Sequence, residues 1–167
     1  MSRSGYSEDD DDGTLGLWRG AVERAIKGKR GQQAINEIIA ALDAMPEKKL
    51  AAESLINVEG EFCTLGVLGK VRGLSIDQLN PDDWDEVAKA FNIAHAMARE
   101  IVYENDEVLD DYIYENIEIC GPFRPWLEHN RFTFYKVSIC PDKLARNRWL
   151  HMRTWAEGQL KNHEVKP

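Results

Sequence analysis

Residues 80–105 read NPDDWDEVAKAFNIAHAMAREIVYEN, and their pattern decides the fold class. Asn80-Pro81-Asp82-Asp83 is a helix start, because proline fits a first turn and acids favour the positive end of the helix dipole. Trp84, Val87, Ala88 and Phe91 follow at three- and four-residue spacing, which is one face of a helix. Asn92 tolerates a left-handed turn. A second helix is expected from residue 93 to about residue 105, with Met97, Ile101 and Val102 turned toward a core. Helical periodicity on both sides of a turn residue points to a helical domain.

The same period recurs toward the N-terminus. Thr14 can cap a helix running to Lys27, with Leu15, Trp18, Val22 and Ile26 on one face. Gly28 and Gly31 interrupt the pattern. A second helix is expected from Gln32 to Ala44, carrying Ile35, Ile38, Ile39 and Leu42. Two such helices across a tight turn read as an antiparallel pair. Pro46 ends it. Residues 50–72 suggest a short hairpin around Glu59-Gly60, then a helix in which Gly66 and Gly69 permit close packing. Their spacing is neither a dinucleotide fingerprint nor a phosphate loop.

Beyond Val108 the texture changes. Tyr112, Ile113, Ile117, Ile119, Phe132, Phe134, Tyr135, Val137 and Ile139 suit strands, with residues 112–119 pairing to 132–139. Pro141-Asp142 opens a last helix to Lys161, with Leu144, Trp149, Met152 and Trp155 as its apolar positions. The fold class is therefore mainly α within α+β. It is a compact helical domain with antiparallel helix pairs and a small hairpin or short strands, placed in 50–63, 112–139 or both. Residues 1–13 read as a flexible acidic arm and 14–162 as one globular domain, with 109–140 as an insertion.

Composition excludes several classes. With 43% hydrophobic and 30% charged residues, the 167-residue chain can build a proper core. No apolar run is long enough to span a bilayer, and the first residues lack the apolar core of a secretory signal, so a cytoplasmic setting is expected. Cys63, Cys120 and Cys140 are odd in number and far apart, which implies no disulfide framework. The net charge of −8 is segregated. Residues 77–118 hold thirteen acids against Lys89 and Arg99, a balance of −11. Residues 17–31 and 124–161 carry balances of +4 and +5. Such blocks either pair with one another in the fold or form a surface for a charged partner.

Several strings resemble a family of small proteins of phages and prophages. They are Gly5-Tyr6-Ser7, Trp18-Arg19-Gly20-Ala21-Val22, Gly28-Lys29-Arg30-Gly31-Gln32, Ala41-Leu42-Asp43-Ala44-Met45-Pro46, Glu61-Phe62-Cys63-Thr64-Leu65-Gly66 and the run from Ala98 to Glu107. The likeness covers the first two thirds and the helix from Trp149 to Trp155, and stops at 109–140. It implies a phage-type accessory protein acting in the host cytoplasm. It brings no activity, cofactor or catalytic residue with it.

The residues offer three chemistries to weigh. Val87-Ala88, Phe91, Asn92, Ile93, Ala98 and Ile101 fall at helix-turn-helix spacing, which would send the helix from Ile93 into a major groove as a DNA-binding regulator. The −11 segment opposes it, because phosphates repel acids. Cys120, His129, Cys140 and His151 could in number supply a zinc site, but no paired spacing joins any two of them. Neither a Gly-x-Ser-x-Gly elbow nor a His-Glu-x-x-His pair is present, so an enzyme would be of unknown type. No catalytic, cofactor-binding or metal residue is assigned. What remains is a surface: Glu100, Glu104, Glu107 and Asp111 would form a stripe on a continuous helix, beside Asp82, Asp83 and Glu86. The expected function is binding and modulation of a host protein through this acidic face. A nucleic-acid-binding component of a defence system is the partner such a face suits; neither nucleic acid nor a membrane is an expected partner.

Overall fold

The structure is a computed structural model that describes residues 4–6, 15–118 and 132–160. Among them are six α-helices and one two-stranded antiparallel sheet. The helices are α1 (Leu15–Lys27), α2 (Lys29–Ala44), α3 (Thr64–Val71), α4 (Trp84–Ala90), α5 (His95–Asp106) and α6 (Pro141–Gln159). The strands are β1 (Tyr112–Glu118) and β2 (Phe132–Ser138). The mainly α reading within α+β holds, and no helix among the described residues is long and apolar enough to cross a membrane.

The core is built around α5, which packs against α1, α3, α4 and α6. Ala96, Met97, Ala98, Ile101 and Val102 are all buried, so apolar side chains leave this helix on nearly every side. The predicted faces of its neighbours meet it: Val22 and Ile26 from α1, Leu65 and Leu68 from α3, Val87 and Phe91 at α4, and Met152 from α6 belong to one cluster. Asn92 does take the left-handed conformation, at φ 47°, as the turn between α4 and α5 requires. Helix α4 starts later than the proline implies. Asn80 and Pro81 form a turn, in which the Asp82 N–H donates to Asn80 Oδ1, and Asp83 is the true cap, accepting from Asp85 N–H and Glu86 N–H.

Two glycines mark close approaches. Gly31 lies in the first turn of α2 rather than ending the preceding pattern, and a Cβ there would sit 2.0 Å from the Ala25 carbonyl oxygen. A single residue, Gly28, thus suffices to break α1 from α2. A Cβ on Gly66 would sit 1.9 Å from the Leu55 carbonyl oxygen. That contact presses α3 onto the small hairpin, where Ile56 bridges Phe62 across a turn closed by Gly60 at φ 81°.

Polar groups close the far end of α5. Asn105 Oδ1 accepts from the Thr64 N–H at 3.1 Å and from Thr64 Oγ at 2.7 Å, and its Nδ2 donates to the Ala51 carbonyl at 3.0 Å. Arg148, buried in α6, donates to the Asn105 carbonyl at 2.8 Å and the Leu50 carbonyl at 2.9 Å. Burial pulls its pKa below the ordinary arginine value, countered by Asp106 and Glu53 nearby. Asn105→Ala would leave buried donors and acceptors unmatched, at about 1–3 kcal/mol each. A fall in Tm of roughly 4–12 °C is expected for a chain of this size. A melting curve within a degree of wild type would show that water replaces the carboxamide.

Candidate functional site

The acidic stripe does not survive folding. Glu100 is 3% exposed: its Oε2 accepts from the Tyr6 hydroxyl at 2.5 Å and its Oε1 from Arg19 at 2.9 Å. Glu104, partly buried, meets His151 Nε2 at 2.8 Å. Glu107 accepts from the Ser4 N–H at 2.6 Å and from Ser4 Oγ at 3.0 Å. It is the C-cap of α5, so the helix ends before Asp111, which lies exposed at the start of the ribbon. Asp82, Asp83 and Glu86 on the α4 side stay exposed as expected, and so does Asp111, away from the helix. Arg19 from α1 and His151 from α6 thus each meet one of the glutamates of α5.

This pairing also corrects the N-terminal arm. Ser4 is buried and Tyr6 half-buried, so at least these residues are fastened to the domain. Arg99 donates to the Ser4 carbonyl at 2.5 Å, and its guanidinium lies 4.5 Å from the Trp18 ring centroid and 5.3 Å from that of Tyr6. Gly5 reaches this path at φ 70°. Burial and the hydrogen bond to Glu100 hold the Tyr6 hydroxyl far above its usual range. The remaining residues read as an arm, and the proposed cap Thr14, lie outside the described residues.

A cleft of about 360 Å³ between α1, α5 and α6 is lined by Arg19, Lys27, Glu100, Glu104 and Trp155. Its glutamates, Glu23 among them, already have partners within the chain: Lys27 for Glu23, Arg19 for Glu100 and His151 for Glu104. The helix-turn-helix reading meets a packing obstacle, since α5 is enclosed by four helices and has no long face to lay in a groove. The zinc set is not brought together either. Cys140 and His151 stand eleven residues apart along α6, about 16 Å by helical rise, and Cys120 and His129 fall outside the described residues. No group of three metal-ligating side chains occurs among the described residues.

Among the described residues, the exposed aromatic side chains gather on the ribbon formed by β1 and β2. Tyr112 pairs with Ser138, and the register runs through Tyr114 with Lys136 and Asn116 with Phe134 to Glu118 with Phe132. Directly opposed residues share a face. One face carries Tyr112, Tyr114, Phe132, Phe134 and Lys136. The other carries Ile113, Ile117, Tyr135 and Val137. Phe134 is 73% exposed, Tyr114 63% and Tyr135 62%. Lys136 Nζ lies 3.5 Å from the Tyr112 centroid, and Tyr112 meets Tyr114 edge-on. Neither strand has an extensive contact with a helix among the described residues. A two-stranded ribbon is marginal in water unless something supports it, and apolar groups on both faces add a solvation cost.

Sequence reasoning placed these strands and their pairing but not their exposure. The available signal was that Phe132 and Phe134 occupy one alternation phase while Tyr135 and Val137 occupy the other, and among the described residues no third strand covers either. No protein-family model, curated protein or solved structure matches the chain.

Two stability outcomes follow from the buried acids. Glu100→Lys would set a cation against Arg19 and strand the Tyr6 hydroxyl, at roughly 3–5 kcal/mol. Calorimetry should show a Tm loss of about ten degrees or more, and an unchanged Tm would contradict the buried placement. Glu104 is raised above the ordinary carboxylate range, chiefly by burial, with the contact to His151 pulling the other way. A raised carboxyl favours the fold while protonated, and that contribution fades as pH rises through the raised value. Wild type should therefore lose Tm relative to Glu104→Gln as pH climbs from about 4. A difference that stays constant with pH would refute the assignment.

Proposed function

We propose that this protein acts by binding another protein, and that the β1–β2 ribbon is its recognition element. One observation carries the reading: among the described residues, the aromatic side chains that the fold leaves most exposed to water are gathered on a ribbon outside the core. Monomeric domains rarely expose contiguous apolar surface of this kind without an interaction to use it. Tyrosine and phenylalanine are also suited to anchoring an interface, combining a large buried area with few rotatable bonds. The resemblance to phage and prophage proteins favours a host protein as the target, such as a component of a defence system, modulated or blocked by the bound chain.

Charge sets the kind of surface the target would offer. Asp110 and Asp111 precede β1, and Glu115 lies within it, so a basic rim around an apolar patch would be complementary. A protein that itself binds nucleic acid carries such a rim. Asp82, Asp83 and Glu86 add exposed negative charge on the α4 side, which would speed association more than it strengthens the final complex.

Capture from host lysate with wild-type and Tyr114→Ser/Phe132→Ser chains, followed by titration of the captured partner, tests this reading. Loss of two anchors of this kind should weaken binding at least about a hundredfold, on the basis of about 2 kcal/mol for each hot spot. Melting of the helical body should stay the same, because neither side chain belongs to the core. Equal affinity in the folded double variant would rule out the aromatic face. If affinity then fell in Asp82→Lys/Glu86→Lys, with reduced salt sensitivity, the contact would pass to the α4 side.

A further inference from the structure

The two outer edges of the ribbon differ in what they can accept. The Ile139 N–H donates to the Asp111 carbonyl at 2.8 Å, and these two residues are directly opposed in the continued register. Hydrogen-bonded and non-hydrogen-bonded pairs alternate along an antiparallel ladder, so the pairs 113 with 137, 115 with 135 and 117 with 133 are the bonded ones. Phe132, Phe134, Lys136 and Ser138 therefore point their backbone N–H and C=O groups away from β1. On the other edge Tyr112, Tyr114, Asn116 and Glu118 point theirs away from β2.

Each edge can be tested against a copy of itself, since a closed twofold pair must set like against like. Pairing β1 with β1 over its full length puts Glu115 on the twofold axis against its own copy. A shift of one residue pair toward the start of β1 sets Glu118 against Asp110, and the opposite shift puts Asn116 on the axis and keeps only residues 114–118 of the described strand paired. Like charges directly opposed weaken a strand pair. Pairing β2 with β2 meets no such conflict. With Tyr135 on the axis the whole strand pairs: Phe134 faces Lys136, Thr133 faces Val137 and Phe132 faces Ser138. The strand contains no acid, and its one cation falls opposite an aromatic ring. The outward N–H and C=O groups of Phe134 and Lys136 match those of the copy in this same register. Pairing β1 with β2 of the next copy would leave open ends and grow a filament instead.

We infer that a second copy of this chain occupies the β2 edge, giving a closed dimer with a continuous four-stranded antiparallel sheet. The strand order is β1, β2, β2, β1, with Tyr135 of both copies at the twofold axis. The acidic β1 strands become the outer edges, where charge discourages further strand addition. A sheet of four strands also removes the weakness of an isolated ribbon. The dimer uses backbone edges rather than the aromatic faces and needs no other protein, so it is independent of partner binding through those faces.

The purified full chain tests it by light scattering coupled to size exclusion. A mass of twice the 19.1 kDa chain is expected. Phe134→Pro removes an outward N–H without touching the β1–β2 ladder, and should return the mass to that of one chain. Asn116→Pro, directly opposite on β1, makes the matching change at the other edge and should leave the dimer intact. Tyr135→Cys places two thiols at the axis within disulfide reach, since opposed Cα atoms of a non-hydrogen-bonded pair lie about 4.5 Å apart. Mild oxidation of that variant should then give a covalent dimer, above the background of wild type and of Glu115→Cys. A single-chain mass for wild type, with no such cross-link in the Tyr135→Cys variant, would overturn the proposal. So would a dimer that survives Phe134→Pro, or one lost in Asn116→Pro.

Discussion

Helix ends inside this domain are closed by long cationic side chains arriving from elsewhere in the chain, and the packing depends on that. A helix leaves its last carbonyls without partners, and burying them bare is costly. Arg148 serves α5 at Asn105, Arg72 serves the end of α4 at the Phe91 carbonyl, and Lys48 serves α2 at the Leu42 and Asp43 carbonyls. Trp149 adds its indole N–H to Leu42 at 3.1 Å. Each donor lies outside the helix it closes, so the closure also fixes how the segments sit. Arg72 does so twice, because its Nε meets Glu37 on α2 at 2.6 Å.

The same internal pairing explains where the acidic block went. A block of thirteen acids reads as a surface when only the chain order is visible. In the fold, the acids on α5 are drawn toward α1, α6 and the N-terminal residues, each of which supplies a polar partner. Several segments far apart in sequence meet here. Gly5-Tyr6, Trp18-Arg19 and Arg99-Glu100 form one cluster, while Cys63-Thr64 and Asn105 form another, at the end of the same helix. Both clusters hold distant parts of the chain on α5.

Much of the fold was legible because it follows local rules. The helical faces at Val22, Ile38, Val87 and Met97, the left-handed Asn92 and the hairpin at Gly60 depend on period and turn chemistry alone. What was not legible depends on residues distant in sequence. Glu100 sits three residues after Met97 on a helix that looks one-sided, and only the arrival of Arg19 and Tyr6 makes its burial tolerable. A carboxylate destined for a buried hydrogen bond looks, in sequence, the same as one destined for water. The start of α4 was misplaced for a smaller reason: Asn80 makes its own turn before Asp83 can cap.

The contrast between the body and the ribbon narrows where recognition can reside. Glu100, Asn105 and Arg148, all buried in the domain, are matched by internal partners. The three carboxylates lining the cleft between α1, α5 and α6 are matched as well, Glu23 by Lys27, Glu100 by Arg19 and Glu104 by His151. Binding there would first have to break the Arg19 or His151 contact, a loss that new contacts must offset before any affinity appears. The ribbon imposes no such cost. Its aromatic side chains lose unfavourable contact with water on association, and its outer backbone groups exchange hydration for a strand ladder. Because the strands lie outside the helical core, association there need not perturb the packing around α5. A helical body and an exposed apolar ribbon divide the described residues into a part that secures the fold and a part that stays accessible.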